Sequence, residues 1–163
     1  MAIERKLVGP CGLYCGVCAV YIADRDGNLK LKEKLAELYK GKTPGKGTLP
    51  GSQDLRAEDI HCKGCMSEDV FYFCKICEIR DCVVAKGLEG CHQCDNWPCE
   101  YIQNFPMTIG KKVIMRVVPH WKEVGTERCF EEEERRYVCP ECGNKVFRGV
   151  MRCNKCKTEL NLD

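Results

Sequence analysis

The sequence predicts a small metal-rich α+β protein, with short helices around cysteine metal clusters and a C-terminal zinc-ribbon hairpin. Three observations carry this expectation. Sixteen of the 163 residues are cysteine. Fifteen of these fall in short groups: Cys11-x3-Cys15-x2-Cys18, Cys62-x2-Cys65, Cys74-x2-Cys77, Cys82 and Cys91-x2-Cys94-x4-Cys99, then Cys139-x2-Cys142-x10-Cys153-x2-Cys156. Between the groups, the helical periodicities are short. Two thiolates separated by two residues can bend round one ion, and four of them make a tetrahedral sulfur cage.

Composition favours metal over disulfides. The N-terminal Met1-Ala2-Ile3-Glu4-Arg5-Lys6 is charged, and no apolar run suits a signal peptide or a membrane span. The expected setting is cytoplasmic, where thiols stay reduced and cysteine doublets read as metal ligands. The hydrophobic fraction of 44% includes the cysteines. The apolar core is therefore smaller than that figure suggests, and bound ions are expected to supply folding free energy. With 26 basic and 24 acidic side chains, the net charge of +2 gives no electrostatic argument for nucleic acid or an anionic membrane.

Taken in order, residues 13–24 read as a short helix. Residues 28–40 form a clearer one: Leu31, Leu35, Leu38 and Tyr39 share a face, Asn28 or Asp26 can cap the start, and Gly41 can end it. Residues 41–51 are a loop by composition. They do not make a phosphate-binding loop, because Gly41 and Gly45 are separated by three residues where that motif needs four. Further helices are expected at 78–86 and from Pro98. Ile109, Val113 and Val117 share one face and Ile114 and Val118 another, so a core helix is expected before Pro119 interrupts, with a strand as the alternative. Residues 126–136 predict a helix capped by Thr126, with Glu131–Arg135 and Glu132–Arg136 pairs on a solvated face. The expected domains are a cysteine-rich metal-binding body at 1–125, a connecting helix at 126–136 and a zinc ribbon at 137–163.

In the last unit, Gly143 supplies the positive φ needed after the second thiolate, and residues 145–148 and 150–152 are expected to pair as a hairpin between the knuckles. Cys139, Cys142, Cys153 and Cys156 are its four ligands. Zinc is favoured over rubredoxin-type iron, since only Phe147 and Tyr137 offer aromatic packing. In the body, sequence proximity groups Cys62, Cys65, Cys74 and Cys77, then Cys82, Cys91, Cys94 and Cys99. Cys11, Cys15 and Cys18 then want a fourth donor. Cross-braced pairings are equally compatible with these spacings. His61, His92, His120 and Cys129 could complete the open set, His92 ahead of His61, while Cys129 reads as a small buried hydrophobe. Three or four Zn2+ ions per chain are expected.

The strings Cys11-Gly-Leu-Tyr-Cys15-Gly-Val-Cys18, Ile60-His-Cys62-Lys-Gly-Cys65, Phe73-Cys74-Lys-Ile-Cys77-Glu-Ile-Arg80-Asp-Cys82, Lys86-Gly-Leu-Glu-Gly-Cys91-His-Gln-Cys94 and Pro98-Cys99-Glu100 together resemble a cysteine-rich bacterial and archaeal family, number 3795 among domains of unknown function. The resemblance covers roughly residues 8–105. It implies a metal-binding, small cysteine-rich domain and brings no reaction with it.

The function expected from these features is a metal-binding protein whose zinc ions are structural and fix a surface for a macromolecular partner, protein rather than nucleic acid. No nucleophile–base signature points to an enzyme. One alternative is a redox protein with iron–sulfur clusters on the eleven N-terminal cysteines, since cluster ligands are also closely spaced thiolates. The Cys11-x3-Cys15-x2-Cys18 spacing is that of radical enzymes using S-adenosylmethionine, but too little chain remains for their partial barrel. Another alternative is nucleic-acid binding through the ribbon, which is mildly basic at Lys145, Arg148, Arg152, Lys155 and Lys157 but short of stacking aromatics.

Overall fold

A computed structural model describes residues 2–41 and 52–163. Seven α-helices occur among them: α1 (Ala19–Arg25), α2 (Leu29–Tyr39), α3 (Tyr72–Lys75), α4 (Glu78–Ala85), α5 (Glu100–Gln103), α6 (Thr108–Val124) and α7 (Thr126–Arg136). No strand forms among the described residues, only the isolated antiparallel bridges Val8–Tyr14, Val138–Lys145 and Arg152–Glu159. The expected α+β class gives way to a helix-rich fold. No helix among the described residues is long and apolar enough to cross a membrane.

Helix α2 forms where its periodicity predicts. The Asn28 side chain accepts from the Leu31 amide at 3.0 Å, and Gly41 follows the C-cap with φ 67°. The remainder of the expected 41–51 loop lies outside the described residues. The helix expected over 13–24 is broken by a 3-10 turn at Cys15–Val17, so α1 starts only at Ala19.

Helix α6 organises the core. Its two apolar stripes serve two different layers. Val113, Val117 and Trp121 pack with Leu7, Val8, Tyr14, Val17, Phe130 and the C-terminal Tyr137, Cys139, Cys153 and Leu160. Ile114 and Val118 pack with Cys11, Ile79, Val83, Cys91 and Ile102. A third layer joins α1 and α2 to Ile60, Cys62 and Phe71. Pro119 does not interrupt α6, which continues to Val124. The proline removes the bond to the Met115 carbonyl, and both residues lie on the exposed side, where water can donate to that oxygen instead.

Helix α7 has the expected bounds but a different start. Gly125, at φ 80°, precedes it, and Thr126 makes no cap. The Thr126 hydroxyl accepts from Trp121 Nε1 at 2.9 Å and donates to Glu89 Oε1 at 2.6 Å, which ties α6, α7 and the Glu89 loop together. Of the expected solvated glutamates, Glu131 pairs with Arg135 at 3.1 Å, whereas Glu133 is buried and takes both Arg116 guanidinium nitrogens. The expected Glu132–Arg136 pair is replaced by Glu132 with Arg128 and His120.

The ribbon hairpin does not form. In its place, one turn is built twice, fourteen residues apart (139 to 153). Val146 N donates to Tyr137 O and Cys139 N to Asn144 O; in the second copy Leu160 N donates to Met151 O and Cys153 N to Thr158 O. Residues between the knuckles have their amides engaged elsewhere. Arg148 N donates to Val17 O at 2.8 Å and Gly149 N to Asp163 Oδ2 at 2.8 Å, which leaves no pair of free edges to zip into a ladder.

Candidate metal centres

The two C-terminal turns point their thiols at one another. The Sγ atoms of Cys139, Cys142, Cys153 and Cys156 all lie within 4.8 Å of one another, with Cys139–Cys156 at 3.5 Å and Cys142–Cys153 at 3.6 Å. Tetrahedral bonds of about 2.3 Å put sulfurs about 3.8 Å apart, so these four can hold one ion with little adjustment. Backbone amides support the sulfurs from within each turn: Asn144 on Cys142, Lys155 on Cys153 and Thr158 on Cys156. Amide donation favours the thiolate. The Thr158 hydroxyl and amide hold the Cys156 thiol down at about 6. Gly143 and Lys157 occupy equivalent positions after each doublet, at φ 67° and 66°.

All eleven body cysteines are free thiols, and they gather on two sides. On one side, the Cys65 amide donates to Cys15 Sγ at 3.3 Å, and the Cys65 thiol reaches both Cys15 and Cys74. Cys62 lies where the charges of Cys74 and Cys15 act on it, and Cys18 lies beside Cys15. On the other side, Cys11 neighbours Cys77 and Cys91, while Cys91 neighbours Cys99, Cys94, Cys82 and Cys77. Cys82, Cys91, Cys94 and Cys99 line one cavity with Lys86 and Trp97, and Lys86 Nζ donates to Cys94 Sγ at 3.8 Å. The last four stay together as sequence proximity predicts. Cys77 lies between the two sides, with Cys74 and Cys11 both near it, while Cys11 and Cys15 fall on opposite sides.

Electrostatics shows why such groupings want a cation. Contact with Cys15 and Cys74, and then burial, pushes the Cys65 thiol far up. Burial raises Cys62 to about 11 and Cys91 to about 12. Closely packed buried thiols cannot all ionise on their own, and a metal ion inverts that preference.

The remaining candidate donors are placed as follows. His61 Nδ1 lies 2.7 Å from Asp69, and His120 Nε2 lies 2.6 Å from Glu132. The His92 ring stacks on Trp121 at 3.8 Å, and its buried Nδ1 has no hydrogen-bond partner among the described residues. Cys129 is fully buried in α7, packed within the α6–α7 core layer. One inward-facing group escaped sequence reasoning. Arg148, taken as part of a basic ribbon surface, turns inward: its Nη1 donates to Tyr14 O at 3.3 Å, and it sits among Cys18, Cys15 and Cys11. Nothing in the sequence separates it from Lys145 or Arg152, which stay exposed.

Residues 7–104 match the model of a family described as "Protein of unknown function (DUF3795)", and the chain belongs to that family. No curated protein and no solved structure gives a match.

Proposed function

We propose that this protein is a non-enzymatic metalloprotein in which zinc ions, held by cysteine thiolates, fix a surface for a macromolecular partner, protein rather than nucleic acid. The observation that carries the reading is the four-sulfur set at Cys139, Cys142, Cys153 and Cys156, whose spacing matches a single tetrahedral ion. Residues 1–125 are read as the cysteine-rich metal-binding unit, 126–136 as the connecting helix and 137–163 as a second metal-binding unit. In the body, Cys11, Cys15, Cys18, Cys62, Cys65, Cys74, Cys77, Cys82, Cys91, Cys94 and Cys99 are the ligand pool. Structural zinc suits such a chain because the ions add folding free energy where much of the interior is sulfur.

A second reading, iron–sulfur clusters in the body, is favoured by one observation. Among the described residues, only the C-terminal set brings three or more donors all within 4.8 Å. A cluster interposes several irons and holds its cysteines farther apart than one ion does. Protein purified without oxygen separates the two readings. Colourless protein containing zinc supports the proposal; brown protein with acid-labile sulfide replaces it with the second reading.

A further inference from the structure

Building on the reading that Cys139, Cys142, Cys153 and Cys156 hold a zinc ion, we infer that this cage is also a redox switch. Peroxide joins its sulfurs across the two turns, as Cys139–Cys156 and Cys142–Cys153, and the ion is released. Cys156 is the one exposed cysteine of the sixteen; the others are buried or half-buried. An oxidant arriving from solvent therefore meets this sulfur first. Cys139 Sγ lies 3.5 Å away, on a residue buried in the core layer of α6. An accessible thiolate beside a resolving thiol is the arrangement that reversible oxidation needs. The half-buried Cys142 and the buried Cys153, 3.6 Å apart, repeat it one step deeper.

Both of these close pairs run between the turns. Each doublet, by contrast, is clamped inside its own turn. Gly143 N donates to Cys139 O and Cys139 N to Asn144 O, while Lys157 N donates to Cys153 O and Cys153 N to Thr158 O. A disulfide within a doublet would have to form against that clamp. A disulfide between the turns needs two facing sulfurs to close from 3.5 Å to about 2.0 Å. The turns also stay seated on the body. Tyr137, Cys139, Cys153 and Leu160 pack with Trp121 and Phe130, and Arg148 N donates to Val17 O at 2.8 Å. The ion leaves, and the two turns remain joined through the same four sulfurs.

The Cys156 thiolate attacks one peroxide oxygen; the O–O bond breaks, leaving a sulfenic acid and hydroxide. The Cys139 thiolate then attacks the Cys156 sulfur. The S–S bond forms, the S–O bond breaks, and a second hydroxide leaves. Two thiolates have thus given two electrons to one peroxide, and two protons from solvent turn both hydroxides into water. A second peroxide oxidises Cys142 and Cys153 in the same way. The four-thiolate site ends as two disulfides, one free Zn2+ and four waters. Four thiolates on a divalent ion carry two net negative charges, and two disulfides carry none. The surface around Cys156, where Lys155 and Lys157 are exposed on either side, therefore becomes more positive on oxidation. A change of local charge is what alters the choice of a protein partner.

The test uses full-length, zinc-loaded protein, stepwise hydrogen peroxide, a colorimetric zinc indicator, and disulfides mapped by mass spectrometry. Cys139–Cys156 should be the first bond to form and Cys142–Cys153 the second. One zinc ion should be released for two peroxides consumed, with the body cysteines still reduced at that point. Dithiothreitol with added zinc should restore the four-sulfur site. In Cys139→Ser, Cys156 should accumulate as a sulfenic acid that dimedone traps; if that variant does not fold, the wild-type bond map is the deciding result. Bonds within the doublets, oxidation of the body cysteines first, or Cys156 passing to the sulfinic acid with zinc retained overturns the switch while the zinc cage stands. If the four C-terminal thiols of zinc-loaded protein react fully with an alkylating reagent before peroxide is added, the cage reading fails with it.

Discussion

Gly143 and Lys157 take almost the same backbone conformation, φ 67° and 66°, one residue after each C-terminal cysteine doublet. A Cβ at Gly143 would meet nothing within 4 Å, so any cost of adding one there is purely backbone strain. Left-handed conformation costs an ordinary residue about 1–2 kcal/mol. Gly143→Ala should therefore lower stability by about 1 kcal/mol, read as a lower urea midpoint with an unchanged slope. Lys157→Gly should move the midpoint the other way by less, because glycine also gains freedom in the unfolded chain. Gly143 was legible in the sequence because glycine after a doublet has one obvious use. Lys157 was not, since a lysine carries no mark of the turn it is forced into.

At the scale of elements, Asp24 shows how a helix positions a site. From α1 its carboxylate accepts from Lys32 Nζ at 2.6 Å, Lys63 Nζ at 2.7 Å and the Cys62 amide at 3.3 Å. It thereby fixes the Cys62–Cys65 turn against the helix. Burial pushes this carboxyl up, but the two ammonium groups and the amide outweigh burial and hold it at about 2, below its ordinary 3.8. A depressed folded value means the stabilisation is present above the unfolded pKa and is lost as pH falls toward 2. Asp24→Asn should cost roughly 2 kcal/mol at pH 7. That gap should close between about pH 4 and pH 2 in acid-unfolding curves; a pH-independent gap would mean the charge is not what the contact supplies. Helix α2 was legible from its apolar spacing, and α7 from the i,i+4 spacing of its glutamates and arginines. The ribbon hairpin was misread for a reason of the same scale: amides that a ladder would use go instead to Val17 and Asp163. Glu133 was misread too, because a run of four glutamates gives no hint that one faces Arg116 in the core.

For the whole molecule, the body and the C-terminal unit share an interior. Tyr137, Cys139, Cys153 and Leu160 pack in the same layer as Leu7, Tyr14 and Trp121, and Tyr14 stacks obliquely on Phe130 at 5.7 Å. The C-terminal four-sulfur set was legible because doublet spacing is local. The grouping of the body cysteines was not, because Cys15 meets Cys65 and Cys74 only after α1 and α2 have folded back, a long-range event that spacing does not encode.

The central claim is that fifteen thiols, in the body as well as the C-terminal unit, exist to bind metal. Metal content per chain, measured on anaerobically purified protein beside native-state alkylation, tests it most directly. At about four sulfurs per ion, the fifteen thiols predict three or four zinc ions per chain, and all fifteen protected until chelator is added. A single ion per chain, with the eleven body thiols reactive or joined as disulfides, would contradict the account.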